Sequence, residues 1–326
     1  MDVLIVGAGL TGLVAAQALR RRNLSVLVVD KSRSVGGRLA TQPIGPGQAD
    51  SGAQFITIRA PAFQQMVTEW EARGLAYLWS HGWADGVGRP QTDGHPRYAI
   101  HGGMSALAQD LAQTLAVQVN VRISAVSPVR AGWQVTDTQG RIYAARGVLL
   151  TAPVPQSLTF LETGRTPVHA ADLAALRGLR YSACLAGLYL LDRPSRLPEP
   201  GAMQPVSPKV TWAADNQRKG ISPGGPVLTV HAASEFSSAN YDAPAAEVLA
   251  ALLHEMKPWL GPAQVQESHL KRWRYAQPLV SHAERSLTAS GVPPLVFAGD
   301  AFGDPRLEGA ALSGLAAAEA LAGLLN

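Results

Sequence analysis

The chain has 326 residues, with 28 lysines and arginines against 24 acidic residues and a formal net charge of +4. Hydrophobic residues make up 47% and charged residues 16%, which is the composition of a globular protein. The basic residues are scattered rather than gathered in a stripe, so the sequence does not indicate a nucleic-acid partner. Because the length exceeds that of one hydrophobic core, we expect two lobes. The single cysteine, Cys184, excludes an internal disulfide and a cysteine-cluster metal site; we expect no metal and a cytoplasmic location.

The first thirty residues carry the strongest local signal. The apolar run 3–6 predicts a buried parallel strand, and Leu13 to Arg22 predicts a helix that opens from a glycine turn. In that turn Gly7 permits the sharp bend, Gly9 removes the Cβ that would block a pyrophosphate, and Gly12 lets the helix pack closely on the strand. The N–H groups at the helix start are then available to the phosphates.

A second apolar strand ends in an acid. The run from Ser25 to Asp30 places a carboxylate where it can accept hydrogen bonds from both ribose hydroxyls of an adenosine. An acid at this position repels a 2′-phosphate, so FAD or NAD fits and NADP does not. The segment that follows begins at Lys31 and contains Gly37 and Arg38, which predict close approach of the backbone to the dinucleotide and a guanidinium on its phosphates. Lys31 is included among the candidate cofactor-binding residues.

The middle of the chain changes its pattern. Residues from Tyr77 to Arg97 show no clear period and predict a loop excursion or short strands. Alternating strands at 182–191, 210–213 and 227–232, with a long helix from Ala243 to Trp259, predict a mixed lobe rather than further parallel units.

The C-terminal part returns to the first lobe. Residues 295–300 predict a strand that ends in a carboxylate, and 308–314 the start of a helix. The Ala-rich stretch 309–325 is interrupted by Ser313 and Glu319 and is too short for a comfortable membrane span. We therefore expect a buried helix of small residues and no membrane association. The apolar N-terminus follows Met1-Asp2 rather than a basic segment, and we expect no export signal.

Several segments together resemble one family. The segments are GAGLTG, VGGRLAT, ADSGAQFIT, LLTAPVP, KRWR and AGDAF with LEGAALSGLAAAEAL, from residue 7 to residue 321. They are similar to those of the renalase-like branch of the flavin amine oxidase superfamily. The resemblance implies an α/β protein with bound FAD, a discontinuous Rossmann-type FAD-binding domain, and a second α+β substrate domain on a mostly antiparallel sheet. We expect the FAD-binding domain to comprise 1–76, 98–158 and 285–326, and the substrate domain 77–97 and 159–284.

The resemblance also implies cofactor contacts outside the fingerprint. The backbone of Val126 would contact the adenine ring, and Asp300 the ribityl or pyrophosphate region. The N–H groups at the start of the last helix would face the flavin N1/O2 edge, where a positive helix terminus stabilises the reduced flavin. The remaining residues in this set are Ala53, Gln54, Phe55, Gly299, Gly309, Ala310 and Ala311. No cysteine is present near the last helix to tether the flavin, so we expect noncovalent FAD.

The substrate side is less defined. Tyr181, His231, Trp273 and Arg274 are the candidate catalytic or substrate-lining residues; His231 matches a histidine of renalase, and Arg274 could meet substrate phosphates. Several amine oxidases of the superfamily place a lysine, linked through water to flavin N5, on the strand matching 182–191. That strand has no lysine here, a gap that renalase shares.

Three functions remain open. The resemblance implies an oxidase that takes hydride from 2- or 6-dihydro-NAD(P) isomers to flavin N5 and passes two electrons to dioxygen to give hydrogen peroxide. The alternative is a flavin-dependent oxidase or desaturase for a small amine or another reduced organic molecule. A third is a flavin-binding protein without turnover, which absence of substrate-dependent flavin bleaching in broad screens would favour.

Overall fold

The computed structural model describes residues 1–326. The strands are β1 (Val3–Val6), β2 (Val26–Val29), β3 (Thr41–Ile44), β4 (Gly47–Asp50), β5 (Ala76–Ala84), β6 (Pro90–Ile100), β7 (Val117–Gln118), β8 (Ile123–Val129), β9 (Gly132–Asp137), β10 (Ile142–Ala145), β11 (Gly147–Leu150), β12 (Arg180–Leu191), β13 (Ala202–Met203), β14 (Val210–Asp215), β15 (Val227–Ala232), β16 (Val265–Val280), β17 (Leu287–Thr288) and β18 (Leu295–Phe297). The helices are α1 (Leu10–Arg21), α2 (Pro61–Ala72), α3 (Met104–Ala112), α4 (Val154–Thr163), α5 (Ala170–Gly178), α6 (Ser234–Ala239), α7 (Ala245–Leu260) and α8 (Leu307–Leu325).

The chain forms two compact units. Unit 1 comprises Met1–Gly37, Ala108–Tyr181 and Gln277–Asn326, and unit 2 comprises Arg38–Leu107 and Ser182–Ala276. Both units are therefore built from segments that are far apart in the sequence.

Unit 1 contains a six-stranded sheet in the order β17-β18-β11-β1-β2-β7. Its pairs are parallel except for β17 with β18. The strand residues of β1 and β11 are buried along their whole length, as the continuous apolar runs predict for a sheet covered on both faces. Strands β9 and β10 form a hairpin around Gln139-Gly140, and with β8 they make a separate antiparallel sheet.

Unit 2 contains a seven-stranded sheet in the order β16-β12-β15-β14-β13-β5-β6. The pairs β12–β15, β15–β14, β14–β13 and β5–β6 are antiparallel, and β13 pairs with β5 in parallel. Side chains alternate between the faces. One face, with Leu228 and Val230, packs on α7, and the other, with Leu188 and Val227, packs on the β3–β4 hairpin. The predicted α/β fold, with a Rossmann-type domain and a mostly antiparallel second sheet, is confirmed.

The boundaries of the two compact units differ from those of the predicted domains. Residues 38–76 belong to unit 2, where Ile44 and Ala49 of the β3–β4 hairpin pack on the sheet. Residues 159–181 belong to unit 1, where Leu161 and Leu176 join its core. The sequence pattern of these two segments does not indicate which sheet they pack on.

The segment 77–97 also differs from its prediction. It forms most of β5 and β6, two long paired strands, rather than a loop or short strands. The register shifts between Leu78 and Ser80 and again between Ser80 and Gly82. Such bulges interrupt the alternation of side chains, which explains why the sequence shows no period there.

The last helix agrees with its prediction. By length and composition α8 is the one helix that could cross a membrane, but 61% of its apolar window is buried inside the protein. Thr11 in α1 donates a hydrogen bond to the carbonyl oxygen of Ala310 in α8 (2.8 Å). The helix of small residues is thus part of the core of unit 1.

Candidate functional site

The carboxyl ends of the parallel strands in unit 1 meet at one edge. From β1 the chain continues to β2 and β7 on one side of the sheet, and β11 and β18 lie on the other side. Open α/β sheets bind ligands at such a reversal, outside the carboxyl ends of the strands. Four residues follow these ends directly or within two positions: Gly7, Asp30, Thr151 and Gly299.

The glycine turn has the geometry that a dinucleotide needs. Gly7 has φ +118°, and a Cβ at Gly12 would lie 2.0 Å from the carbonyl oxygen of Gly7, so neither position accepts a side chain without rearrangement. A Cβ at Gly9 would meet no atom within 4 Å, which means that the space in front of this residue is open. Thr151 fixes the turn because its hydroxyl lies 3.1 Å from the carbonyl oxygens of both Val6 and Gly7.

Asp30 joins the turn to the end of β2. Its Oδ2 accepts a hydrogen bond from the N–H of Ala8 (2.8 Å), and its Oδ1 accepts one from the N–H of Ser32 (2.7 Å). The carboxylate is half-buried, and each oxygen keeps acceptor capacity for a ribose hydroxyl. Lys31 points elsewhere: it is exposed, and its ammonium donates to Gln156 Oε1 (2.9 Å).

The start of α8 is also tightly built. A Cβ at Gly309 would lie 1.7 Å from the carbonyl oxygen of Asp304, so the first turn needs a glycine there. The N–H of Gly299 donates to Ser313 Oγ (2.9 Å), which ties the end of β18 to this helix. Neither α1 nor α8 has a side-chain hydrogen bond at its N-cap. Their first-turn N–H groups therefore suit anionic or electron-rich partners.

These observations fit a bound dinucleotide. Gly7, Gly9 and Gly12 would admit the pyrophosphate to the start of α1, and Asp30 would hold the adenosine ribose. Gly37 supports this arrangement, since it has φ +54° and its Cβ position lies 3.6 Å from the Cα of Gly9.

Two predicted cofactor residues already have partners in the protein. The carbonyl oxygen of Val126 accepts a hydrogen bond from the hydroxyl of Thr166. Arg38 donates from one guanidinium nitrogen to the carbonyl oxygens of Tyr275 (3.3 Å) and Ala276 (3.1 Å). The adenine contact of Val126 and the phosphate contact of Arg38 stay predictions.

Unit 2 holds a buried ion pair that the sequence did not indicate. Lys219 Nζ lies 2.6 Å from Asp50 Oδ2, and the two side chains are 0% and 1% exposed. The ammonium also donates to the carbonyl oxygen of Gln54 (2.6 Å). Asp50 Oδ1 accepts from the hydroxyl of Thr41 (2.6 Å) and from the N–H of Met104 (2.8 Å). Burial lowers the pKa of Lys219, while the Asp50 charge opposes that shift.

An aromatic group lies beside this pair. The ammonium of Lys219 is 5.0 Å from the ring centroid of Trp79. The group consists of Trp79, Trp83, Trp212 and Phe55, whose ring centroids lie 4.7 to 6.2 Å apart in the contacting pairs. Phe55, predicted as a cofactor residue, is therefore a member of this aromatic group. Its neighbour Gln54 donates its side-chain amide to the carbonyl oxygens of Asp50 (2.7 Å) and Gly52 (3.1 Å), and Ala53 donates its N–H to the carbonyl oxygen of Arg38 (2.9 Å).

His231 and Trp273 meet at Ser51. Trp273 Nε1 donates to the carbonyl oxygen of Ser51 (2.8 Å). Burial lowers the pKa of His231 to about 4, the Ser51 backbone opposes this shift, and the Lys219 charge adds to it. The imidazole is thus neutral at pH 7, and its Nε2 is buried without a hydrogen-bond partner.

The other two candidate catalytic residues lie elsewhere. Arg274 follows Trp273 in β16 and so points to the opposite face of the strand, where its guanidinium lies 4.4 Å from the ring centroid of Tyr241. Tyr181 belongs to unit 1, where its hydroxyl accepts a hydrogen bond from the N–H of Val154 at the start of α4 (3.3 Å). The structure brings together His231 and Trp273 but not Arg274.

Comparison with known proteins identifies the family. The family model for flavin containing amine oxidoreductases matches residues 73–322, and that for an NAD(P)-binding Rossmann-like domain matches residues 5–70. The chain belongs to the flavin-containing amine oxidoreductase family. This membership and the dinucleotide fold confirm the prediction of FAD as the cofactor.

Individual relatives match a shorter part of the chain than the family model does. The chain is 39% identical over 70 residues to an L-amino acid dehydrogenase of Synechocystis sp., a match that covers 21% of this chain and 15% of the relative. It is 41% identical over 69 residues to a Mycobacterium tuberculosis protein named as a flavin-containing monoamine oxidase, with the same coverages. The matched stretch is thus a small part of these relatives' length.

Solved structures match over the whole chain. Putrescine oxidase, in a structure titled as bound to putrescine, has a TM-score of 0.73 at 17% identity and covers 98% of both chains. A protein from Exiguobacterium sp. 255-15, named as a protoporphyrinogen oxidase, has a TM-score of 0.74 at 14% identity and the same coverages. At these identities the likeness establishes the fold alone.

We expect the FAD to be bound noncovalently. The only cysteine, Cys184, lies in β12, and burial raises the pKa of its thiol to about 12, so it is a poor nucleophile for a flavin. Acid or heat denaturation should release all of the yellow colour into the supernatant. Colour that stays with the precipitated protein would contradict the prediction.

Proposed function

We propose that this flavoprotein is an oxidase that takes hydride from 2- or 6-dihydro-NAD(P) isomers and reduces dioxygen to hydrogen peroxide. The observation that carries the proposal is the state of the buried basic groups in unit 2. The ammonium of Lys219 donates to Asp50 and to the carbonyl oxygen of Gln54, and an ammonium ion has no lone pair with which to accept a proton. His231, with a pKa of about 4, is too weak a base to hold a proton at pH 7.

A dihydropyridine suits a site without a strong base. Loss of hydride converts the neutral ring into an aromatic pyridinium, and no proton has to be removed from the substrate. When bound, FAD would supply the two-electron acceptor, and dioxygen would be the final oxidant. With one proton from water, each dihydropyridine oxidised gives one pyridinium and one hydrogen peroxide. The protein then has to position the ring and exclude competing orientations.

Trp273 and His231 are the candidate residues for that positioning. Trp273 is held by its bond to Ser51, and His231 presents a neutral ring beside it. A neutral imidazole places no positive charge next to a ring that becomes cationic as hydride leaves. Ordinary 4-dihydro-NAD(P)H should react poorly, because presenting C4 instead of C2 or C6 requires a different ring placement. The single cysteine supports a reducing compartment, and we place the reaction in the cytoplasm.

Oxidation of a small amine is the second candidate. It is supported by membership of the amine oxidoreductase family and by likeness to putrescine oxidase. An amine arrives at pH 7 as an ammonium ion and must lose a proton before it can give hydride. His231 is a weak base and the ammonium of Lys219 is held by Asp50 and Gln54, so neither residue can readily take this proton. An amine that loses its proton in solution before binding would not need a base in the protein.

An aerobic assay distinguishes the candidates by their products. The holoprotein is mixed with 2-dihydro-, 6-dihydro- and 4-dihydro-NAD(P)H and with putrescine and L-amino acids, and peroxide and NAD(P)+ are measured. We expect equal amounts of peroxide and NAD(P)+ from the 2- and 6-isomers, and little peroxide from the rest. Peroxide from the amines, with none from the dihydropyridine isomers, would assign the protein to the amine oxidases.

A further inference from the structure

Four buried polar atoms in unit 2 have no hydrogen-bond partner: Gln54 Oε1, Trp212 Nε1, His231 Nε2 and Arg97 Nε. The guanidinium of Arg97 already binds Asp93 through its other nitrogens, which leaves the first three atoms as a group. Buried polar atoms are nearly always paired, so an unpaired group of them needs an explanation. Gln54 and Trp212 are 6% and 4% exposed, which leaves bulk water little access to either side chain.

The three side chains belong to one neighbourhood. Trp212 and His231 are directly paired residues of the antiparallel strands β14 and β15, so their side chains lie on the same face. The side-chain amide of Gln54 donates to the carbonyl oxygens of Asp50 and Gly52, the two neighbours of Ser51. The backbone of Ser51 is in turn hydrogen-bonded to His231. Phe55, next to Gln54, has its ring centroid 5.3 Å from that of Trp212.

The donor and acceptor roles are fixed by bonds that already exist. Gln54 Nε2 donates to the carbonyl oxygens of Asp50 and Gly52, so the amide cannot be turned round and Oε1 is an acceptor. Trp212 Nε1 can only donate. The neutral imidazole of His231 offers at Nε2 either a lone pair or an N–H. The group therefore presents at least one acceptor and one donor.

We propose that these three atoms bind the 3-carboxamide of a dihydronicotinamide ring. A carboxamide has one acceptor oxygen for Trp212 Nε1–H and two N–H donors, for Gln54 Oε1 and His231 Nε2. The inference rests on the proposed function and names the part of the substrate that the protein recognises.

Other polar groups complement the three atoms less well. An alkylammonium ion has three donors and no acceptor, so Trp212 Nε1 would stay unpaired, and a second positive charge would join that of Lys219. A carboxylate can only accept hydrogen bonds. It would accept one from Trp212 Nε1, but its other oxygen would face Gln54 Oε1, and two acceptors without a proton between them repel each other. The site thus favours an amide over an amine or an acid.

The test uses unreactive ligands, so it does not depend on turnover. Calorimetric dissociation constants are measured for the FAD-loaded protein with NAD+, with its 3-acetylpyridine analogue, and with nicotinic acid adenine dinucleotide. The acetyl analogue keeps the acceptor oxygen and loses the N–H donors; the acid keeps only acceptors. The acetyl analogue loses two hydrogen bonds, so we expect it to bind roughly five- to hundredfold more weakly than NAD+, and the acid more weakly still.

The variant Trp212→Phe removes the donor and keeps an aromatic ring. It should weaken NAD+ and the acetyl analogue by a similar factor, roughly two- to tenfold. Trp259→Phe is the matched control, because Trp259 lies on α7 and packs on the opposite face of the sheet; it should leave all three constants unchanged. The ligand series in the unaltered protein keeps the test valid if Trp212→Phe fails to fold.

The outcomes separate this inference from the proposed function. Equal affinities for the amide, ketone and acid, or no binding of NAD+, would overturn the carboxamide site, even if dihydropyridines are oxidised. The expected order of affinities would support the site, even if dihydropyridines fail to yield peroxide.

Discussion

Replacing Lys219 with methionine is expected to lower the free energy of unfolding by about 3–5 kcal/mol, because it leaves the buried charge of Asp50 without a counter-ion. The pair is enclosed, with exposures of 0% and 1%, so water cannot take the place of the ammonium. The substitution also removes the hydrogen bond to Gln54 and the contact with Trp79. Urea unfolding followed by tryptophan fluorescence and by circular dichroism measures the loss.

Two further variants test whether the unpaired charge of Asp50 causes this loss: the double variant Lys219→Met/Asp50→Asn and a surface control. Removing both charges should restore part of the lost stability, since the desolvated carboxylate is then absent. Lys209→Met is the matched control: Lys209 pairs with Glu255 at 3.2 Å but is 52% exposed, and an exposed pair is worth about 1 kcal/mol or less. A Lys219→Met protein as stable as Lys209→Met would show that the carboxyl of Asp50 is neutral or hydrated.

Replacing Asp30 with alanine is expected to weaken FAD binding about ten- to hundredfold while the chain stays folded. A charge-assisted hydrogen bond to a ribose hydroxyl is worth roughly 1.5–3 kcal/mol. The substitution also frees the N–H groups of Ala8 and Ser32, which Asp30 now holds. Flavin occupancy after purification, and reconstitution of the apoprotein with FAD, measure the change.

Asp2→Ala is the control for Asp30. Asp2 accepts hydrogen bonds from the N–H (2.9 Å) and hydroxyl (2.6 Å) of Ser25, which precedes β2, so it lies at the opposite end of the same strand. Its loss should leave FAD occupancy unchanged. Full occupancy in Asp30→Ala would show that this acid does not bind the ribose.

The glycine turn and the elements around it could be predicted because their information is local. The strand, the glycine turn, the helix and Asp30 follow one another within thirty residues, and each residue type has its own steric or electrostatic reason. Thr151, which bonds the carbonyl oxygens of Val6 and Gly7, appears in the sequence analysis only within the segment LLTAPVP. Its role depends on β11 lying beside β1, which the order of elements along the chain does not specify.

The buried pair of unit 2 could not be predicted because its members are 169 positions apart. Lys219 stands in a polar turn segment after β14, where a lysine ordinarily points into solvent. The sequence offered one indirect signal, the acid at Asp50 within a segment of mostly small residues. The separation of Arg274 from Trp273 was predictable from strand alternation alone, and placing both in one site was inconsistent with that alternation.

Anaerobic rapid mixing of the FAD-loaded protein with single substrates shows which of them gives hydride to the flavin. The flavin absorbance is followed after mixing with 2-dihydro-NAD(P)H, 6-dihydro-NAD(P)H, ordinary 4-dihydro-NAD(P)H or a primary amine, and air is then admitted. We expect rapid bleaching by the 2- or 6-isomer, slow bleaching by the others, and return of the colour with peroxide formation. Rapid bleaching by primary amines, with none by the dihydropyridine isomers, would contradict the proposed function.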